Sequence, residues 1–159
     1  MSTAMSLWFA KLKSHSKLER FYLPLANNNA LKLFVKRDDL IDPFISGNKL
    51  RKLEGNLMAA IDAGAAQIIT FGGAYSNHLL ASASAANALD IPIIGKVRGE
   101  ELNESSNPLL LQCHQLGMDL KFMNRSGFKE SKYQSGLSKD QDKFTWFIPE
   151  GGANPEGIL

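Results

Sequence analysis

The chain has 159 residues, of which 44% are hydrophobic and 21% charged, and its formal net charge is +2 at pH 7. These are the values of a globular protein and exclude a disordered polyelectrolyte. The basic residues form no long block, so no nucleic-acid partner is expected. The apolar runs IITF and IPIIG are too short to cross a bilayer, so no membrane partner is expected either.

The cysteine content and the N-terminus bear on the compartment. Cys113 is the one cysteine, which excludes an intrachain disulfide and favours the reducing cytoplasm. It lies in LLLQCHQLG, where we interpret it as a core residue of a helix. Its neighbour His114 is a poor activating base, because consecutive helix positions do not face each other. The N-terminus lacks the apolar h-region of a secretory signal. It contains Ser and Lys but no acidic residue, a composition that also fits a mitochondrial targeting segment.

The first predicted elements are a strand and an amphipathic helix. LKLFVK, residues 31–36, alternates apolar and polar residues, as a strand with one buried face does. KRDDLIDPF then reads as a turn whose acids serve as caps or pair with Lys36 or Arg37. Apolar residues recur at helical spacing from Asn48 onward, and Gly64 is a stop signal for that helix.

The rest of the chain alternates strands with helices. We predict strands over 67–71, 91–97, 118–123 and 144–149, helices over 76–89 and 107–116, and a mixture of loop and helix over 125–143. This alternation implies an α/β fold with a parallel sheet covered on both faces, in three layers. Ligands of such sheets bind outside the carboxyl ends of the strands, where the loops FGGAYSNH and EGGAN lie.

SGNKLRKLEG, residues 46–55, places Lys49 at the start of the first predicted helix. A free lysine has a pKa of ~10.4 and is protonated at neutral pH, hence not nucleophilic. The helix dipole and the charges of Arg51 and Lys52 favour the neutral amine that a Schiff-base lysine requires. Gly47 admits a flat ligand close to the backbone, and Asn48 can hydrogen-bond to it. The alternative is a solvent-exposed lysine on a basic helix face.

FGGAYSNH is the second candidate for chemistry. Its two glycines allow a tight turn, and Ser76 and Asn77 then supply polar groups beside backbone N–H groups that suit an anion. The alternative for Ser76 is a plain helix cap. His78 adds a possible proton carrier. Neither dinucleotide fingerprint nor P-loop occurs in the sequence, and its three histidines lack ligand spacing, so no metal site is predicted.

Five segments of the chain, taken in their order, resemble the motifs of one family. They are KRDDL, SGNKLRKLE, the loop with SNH, RGEELN and PEGGAN. It is the 1-aminocyclopropane-1-carboxylate deaminase and D-cysteine desulfhydrase family, within the tryptophan-synthase-β-like enzymes of fold type II that use pyridoxal 5'-phosphate. The resemblance runs from about Leu25 to the last residue. GNKLRKLE together with YSNH is the specific combination, since neither motif suffices alone.

The resemblance implies roles for individual residues. Lys49 would form the Schiff base with the cofactor, while Asn48 and Asn77 would contact the cofactor, Asn77 at its phenolic oxygen. Ser76, Asn77 and His78 would hold the substrate carboxylate. The implied reaction converts D-cysteine to pyruvate, sulfide and ammonia, or 1-aminocyclopropane-1-carboxylate to 2-oxobutyrate and ammonia, and Lys49 would carry protons.

The chain also departs from the family pattern. No Gly/Thr-rich phosphate loop follows, so we expect an N-terminal portion: 1–52 from a large domain, 53–150 a small α/β domain, and 151–159 a crossover back. Such a chain should be inactive or nearly so alone, with apolar surface exposed around Leu31, Leu33 and Val35. A homodimer is expected from the family. The alternative is a non-catalytic α/β remnant or dimerisation module.

Overall fold

Strands and helices alternate along the chain in the computed structural model, which describes residues 2–22, 32–140 and 143–158. The helices are α1 (Ser2–Ser14), α2 (Asn48–Asp62), α3 (Asn77–Ala88), α4 (Pro108–Gln115) and α5 (Arg125–Ser131). The strands are β1 (Lys17–Phe21), β2 (Leu33–Arg37), β3 (Gln67–Gly73), β4 (Ile93–Arg98), β5 (Asp119–Met123), β6 (Gly136–Asp140) and β7 (Lys143–Ile148). Short 3₁₀ turns cover Asp38–Leu40, Glu150–Gly152 and Pro155–Gly157.

A five-stranded sheet with the order β5–β4–β3–β7–β6 organises the fold. Its first four strands pair in parallel, which confirms the predicted parallel sheet. β6 pairs antiparallel with β7 at the edge and was not predicted, since residues 125–143 were expected to be loop and helix. The sequence GLSKD carries little apolar signal, and Leu137 is 43% exposed. Backbone pairing with β7 therefore holds this strand in place.

Both faces of the sheet are covered, because successive strand residues point to opposite sides. Ile68 on one side packs into the cluster that contains buried residues of α2, α3 and α4. On the other side, Ile69 and Phe71 pack with Phe128 of α5 and Phe147 of β7. The predicted three-layer α/β arrangement is thus confirmed.

α2 joins the sheet layers to the N-terminal part of the chain. Leu50, Leu53 and Leu57 are buried, and Gly64 has a φ of 70° just past the helix end, as the stop signal predicted. Met5 and Phe9 of α1 are buried in the same cluster. The predicted domain boundary at residue 52 falls inside α2, and the division into domains stays a prediction.

β1 and β2 form a separate antiparallel pair. The prediction that the 31–36 strand has one buried face is wrong for the described residues: Phe34 is 54% and Val35 39% exposed, and Leu33 is half-buried. The related expectation of an exposed apolar surface is confirmed for Val35, while Leu31 lies outside the described residues. In the described part of the chain, β1 is the strand that pairs with β2.

The segment after β7 folds back onto α2. Asn154 and Asn56 are both buried and hydrogen-bonded to each other. Gly55 faces the main chain of the same segment so closely that a Cβ there would overlap Glu156 O, which requires glycine at this helix position. None of the described helices is long and apolar enough to span a membrane.

Candidate functional site

Lys49 stands in the first turn of α2, after Gly47, whose φ of 60° starts the helix in a conformation that favours glycine. A Cβ placed on Gly47 would have no atom within 4 Å from any residue beyond its two chain neighbours, so the space beside this backbone is open. The Lys49 side chain is half-buried, and its Nζ donates to Asn48 Oδ1 at 2.9 Å. Burial lowers the pKa of Lys49, and the nearby charge of Lys52 lowers it further. Both effects favour a neutral, nucleophilic amine.

The two basic neighbours of Lys49 play different parts. Arg51 Nε donates to Asp38 Oδ2 at 2.9 Å, so a carboxylate balances its charge. Lys52 Nζ instead donates to the main-chain oxygen of Gly151 at 3.2 Å, which leaves its full positive charge uncompensated. The expected repulsion therefore comes from Lys52 and not from Arg51.

A cleft of about 260 Å³ opens beside the Lys49 amine. It brings together Lys49, Asn48 and Asn77, the three residues predicted to contact a cofactor. The remaining lining was missed from the sequence and comprises Pro43, Phe44, Ser46 and Leu80. Two amides and a hydroxyl beside apolar side chains suit a flat ring with polar substituents. Together with the lowered pKa of Lys49, this donor set fits a pyridoxal aldehyde.

Ser76 lies in the loop between β3 and α3 and does not line the Lys49 cleft. It is the N-cap of α3, and its Oγ accepts a hydrogen bond from Leu79 N at 3.4 Å, so the helix-cap interpretation is confirmed. With Tyr75, it lines a larger cavity of about 1140 Å³ at the carboxyl ends of the strands. Its predicted contact with a substrate carboxylate stays a prediction.

His78 is buried beneath the start of α3, with 2% of its surface exposed, and it lines neither of these cavities. Its Nε2 lies 2.8 Å from Thr70 Oγ1, and that hydroxyl donates to Ile148 O at 3.1 Å. Both contacts are satisfied when Nε2 carries the proton, which leaves Nδ1 as a buried acceptor with no partner among the described residues. Substrate contact by His78 stays a prediction.

The charge state of His78 follows from its surroundings. Burial lowers the pKa of His78 to about 4, and the positive charges of Lys49 and Lys52 add to the shift. The ring is therefore neutral at physiological pH. Thr70, its partner from β3, was not singled out from the sequence, because a threonine within QIITF is an ordinary strand residue.

Other predicted roles concern structure. Cys113 is fully buried in the core, as predicted, and burial raises the pKa of its thiol to about 11. Asp39 pairs with Arg37, as expected, whereas Asp38 pairs with Arg51. Asp42 Oδ1 accepts from the main-chain N–H groups of residues 44 and 45, which is a turn role. The described residues contain no group of three or more His, Cys, Asp or Glu arranged to hold a metal.

Comparison with known proteins identifies curated relatives, although no protein-family model matches. A Pyrococcus abyssi protein named "Putative 1-aminocyclopropane-1-carboxylate deaminase" is 34% identical over 143 residues, which are 87% of this chain and 42% of that protein. The mitochondrial "Bifunctional D-cysteine desulfhydrase/1-aminocyclopropane-1-carboxylate deaminase" of Arabidopsis thaliana is 31% identical over 81% of this chain and 35% of its own length. A D-cysteine desulfhydrase of Klebsiella pneumoniae is 30% identical over 87% of this chain and 44% of its own length. The chain thus spans less than half the length of these relatives.

Solved structures share the fold. A structure described as an ACC deaminase homologue superposes with a TM-score of 0.67 at 28% identity, over 90% of this chain and 44% of that one. A fungal L-serine ammonia-lyase from Rhizomucor miehei superposes with a TM-score of 0.56 at 18% identity, over 86% of this chain and 40% of that one, which shows the fold alone. The chain is therefore homologous to part of the proteins named 1-aminocyclopropane-1-carboxylate deaminase and D-cysteine desulfhydrase, and it has the fold of the type II pyridoxal-phosphate enzymes.

Proposed function

We propose that this chain supplies the lysine-bearing part of a pyridoxal-phosphate-dependent enzyme that deaminates or desulfurates a small amino acid. The observation that carries the proposal is the cleft in which Lys49, with its lowered pKa, lies beside Asn48 and Asn77. The names of the relatives supply two substrates, D-cysteine and 1-aminocyclopropane-1-carboxylate. D-Cysteine would yield pyruvate, sulfide and ammonia, and the cyclopropane substrate would yield 2-oxobutyrate and ammonia.

The residues of the cleft divide the work of holding the cofactor. Lys49 would attach it covalently, and the side-chain amides of Asn48 and Asn77 would hydrogen-bond its polar substituents. Phe44 and Leu80 supply the apolar walls of the cleft and restrict water around the amine. When bound, pyridoxal phosphate supplies an electron sink that stabilises negative charge at the substrate α-carbon.

Lys49 would also move protons. Its amine accepts a proton readily once neutral, and burial together with the Lys52 charge favours the neutral state. The 3.2 Å hydrogen bond to Gly151 O holds the Lys52 ammonium in place for this role. The main-chain N–H groups at the start of α3, next to Ser76 and Asn77, would receive a substrate carboxylate, because a helix N-terminus favours an anion.

Titration of the chain with pyridoxal phosphate tests the proposal. We expect a saturable absorbance band of lysine-bound cofactor that is lost in Lys49→Ala and kept in Lys121→Ala, a matched change at an exposed lysine of β5. An equal band in Lys49→Ala would contradict the proposal.

We expect little turnover of D-cysteine by this chain alone, since its sequence contains no Gly/Thr-rich phosphate loop. Robust release of sulfide would contradict that expectation, whereas failure of Lys49 to attach the cofactor would favour a non-catalytic α/β module. A cytoplasmic homodimer is part of the same proposal. It is supported by the single cysteine and by the exposed apolar side chains of β2, and light scattering tests the dimer.

A further inference from the structure

A third cavity, of about 530 Å³, lies where β4 ends against α5 and shares no residue with the Lys49 cleft. Its lining is unusually basic: four cationic side chains surround two aromatic rings. They are Arg98, Arg125, Lys129 and Lys132, with Phe128 and Tyr133. Arg98 and Arg125 also line the 1140 Å³ cavity at the carboxyl ends of the strands, so the two spaces adjoin.

Three of the four cations in this basic cavity have no ion-pair partner among the described residues. Lys132 pairs with Glu150 at 3.0 Å, but Arg98, Arg125 and Lys129 form no ion pair with any described residue. Glu100 and Glu101 line the larger neighbouring cavity without pairing with these cations. Three uncompensated positive charges around one space favour a multiply charged anion.

The Arg98 guanidinium is positioned by packing and not by an acid. Its Cζ lies 5.8 Å from the centre of the Phe128 ring, and Phe128 is itself only 2% exposed and therefore fixed. One terminal nitrogen lies 3.7 Å from the place where a Cβ of Gly73 would be, which puts the group over the end of β3. The guanidinium of this exposed residue thus lies over the Phe128 ring, and no carboxylate pairs with it among the described residues.

Aromatic surface completes the cavity. Tyr133 is 72% exposed, and Lys132 Nζ lies 4.7 Å from the centre of its ring. An exposed ring at the edge of a basic cavity offers a stacking surface to a ligand that carries a planar group. The paired N–H donors of a guanidinium group match two oxygens of a phosphate. A spherical anion offers no such pair of acceptors, so these arginines favour a phosphate.

We propose that Arg98, Arg125 and Lys129 bind the phosphate group of an aromatic phosphate monoester, whose ring packs on Tyr133. Three positive charges match a phosphate dianion, and the cavity has room for the ring. The site shares no lining residue with the Lys49 cleft and does not depend on the Lys49 amine.

Titration with phenyl phosphate, which has no aldehyde, tests the site by amide chemical shifts at constant ionic strength. We expect saturable shifts around α5 and about tenfold weaker binding in Arg98→Gln and in Arg125→Gln, since each removes a charge-assisted contact. Lys49→Ala should bind as the unaltered chain does. Inorganic phosphate should bind more weakly, because it lacks the ring.

Arg20→Gln is the matched control, because Arg20 is an exposed arginine 4.8 Å from the ring of Tyr22, far from α5 in the sequence. Thermal unfolding of each variant verifies that it is folded. Equal weakening in Arg20→Gln and Arg98→Gln, or shifts that do not saturate, would overturn the site. Equal affinity for inorganic phosphate and phenyl phosphate would overturn the role of Tyr133.

Discussion

Asn56 and Asn154 exchange two hydrogen bonds in the interior: Asn56 Nδ2 donates to Asn154 Oδ1 at 2.9 Å, and Asn154 Nδ2 donates to Asn56 Oδ1 at 2.7 Å. Asn56 Nδ2 also donates to Lys52 O at 2.9 Å, and Trp146 Nε1 donates to Asn56 Oδ1 at 3.4 Å. These hydrogen bonds connect the segment 149–158 to α2. The same segment contributes Gly151 O, which holds the ammonium of Lys52 near the Lys49 cleft.

Replacing Asn154 by Ala should lower the free energy of unfolding by about 2–3 kcal/mol, because it leaves buried polar groups of Asn56 without partners. Urea unfolding measures the loss. Ser135→Ala is the control, since Ser135 Oγ accepts the other hydrogen bond of Asn154 at 3.1 Å but Ser135 itself is exposed. We expect less than about 1 kcal/mol there, and equal losses in the two variants would contradict a structural role for the asparagine pair.

The elements that the sequence predicted well are those whose pattern is local. The apolar spacing in α2 and the β-branched run of β3 identify both elements without knowledge of what they pack against. β6 was missed because an edge strand is defined by backbone pairing with β7. Asn56 and Asn154 carried no signal either, because a polar helix residue and a polar loop residue are usually exposed, and their burial depends on each other.

The candidate site shows the same division. Asn48 and Lys49, from one motif, and Asn77, from the FGGAYSNH loop, line one cleft, and their contacts with a cofactor stay predictions. The sequence did not reveal which way the first turn of α3 faces. That turn directs His78 toward Thr70 and the interior, so the loop that was predicted as one substrate surface is split between a cleft, a cavity and the core.

Lys52→Gln should raise the pKa of Lys49 toward its ordinary value, because it removes the neighbouring positive charge while keeping a donor for Gly151 O. At neutral pH the Lys49 amine would then react more slowly with acetic anhydride, as peptide mass spectrometry measures across a pH series. Arg51→Gln is the control and should leave the Lys49 profile in place, since Asp38 already balances that charge. Identical profiles for all three proteins would rule out the role assigned to Lys52.

Acid should destabilise the fold through His78. Its pKa is about 4 when folded and 6.5 in its ordinary state, so the unfolded chain binds the proton more readily. The stability that the neutral ring confers is present above about pH 6.5 and is lost as the pH falls toward about 4. We expect a loss of about 2 kcal/mol between about pH 7.5 and about pH 5.

Urea unfolding at the two pH values measures this loss, with His78→Gln as the variant that keeps a polar partner for Thr70 but does not titrate. The variant should show a clearly smaller dependence on pH over this range. A slope as steep as that of the unaltered chain would mean that another group carries the effect.

The central claim is that Lys49 is the amine prepared to react with an aromatic aldehyde. The direct measurement is borohydride reduction of the chain with less than one equivalent of pyridoxal phosphate at neutral pH, followed by peptide mapping of the modified lysine. We expect most of the label on Lys49, because burial and the Lys52 charge lower its pKa and the cleft receives the ring. Label spread over the exposed lysines, with no preference for Lys49, would contradict the account.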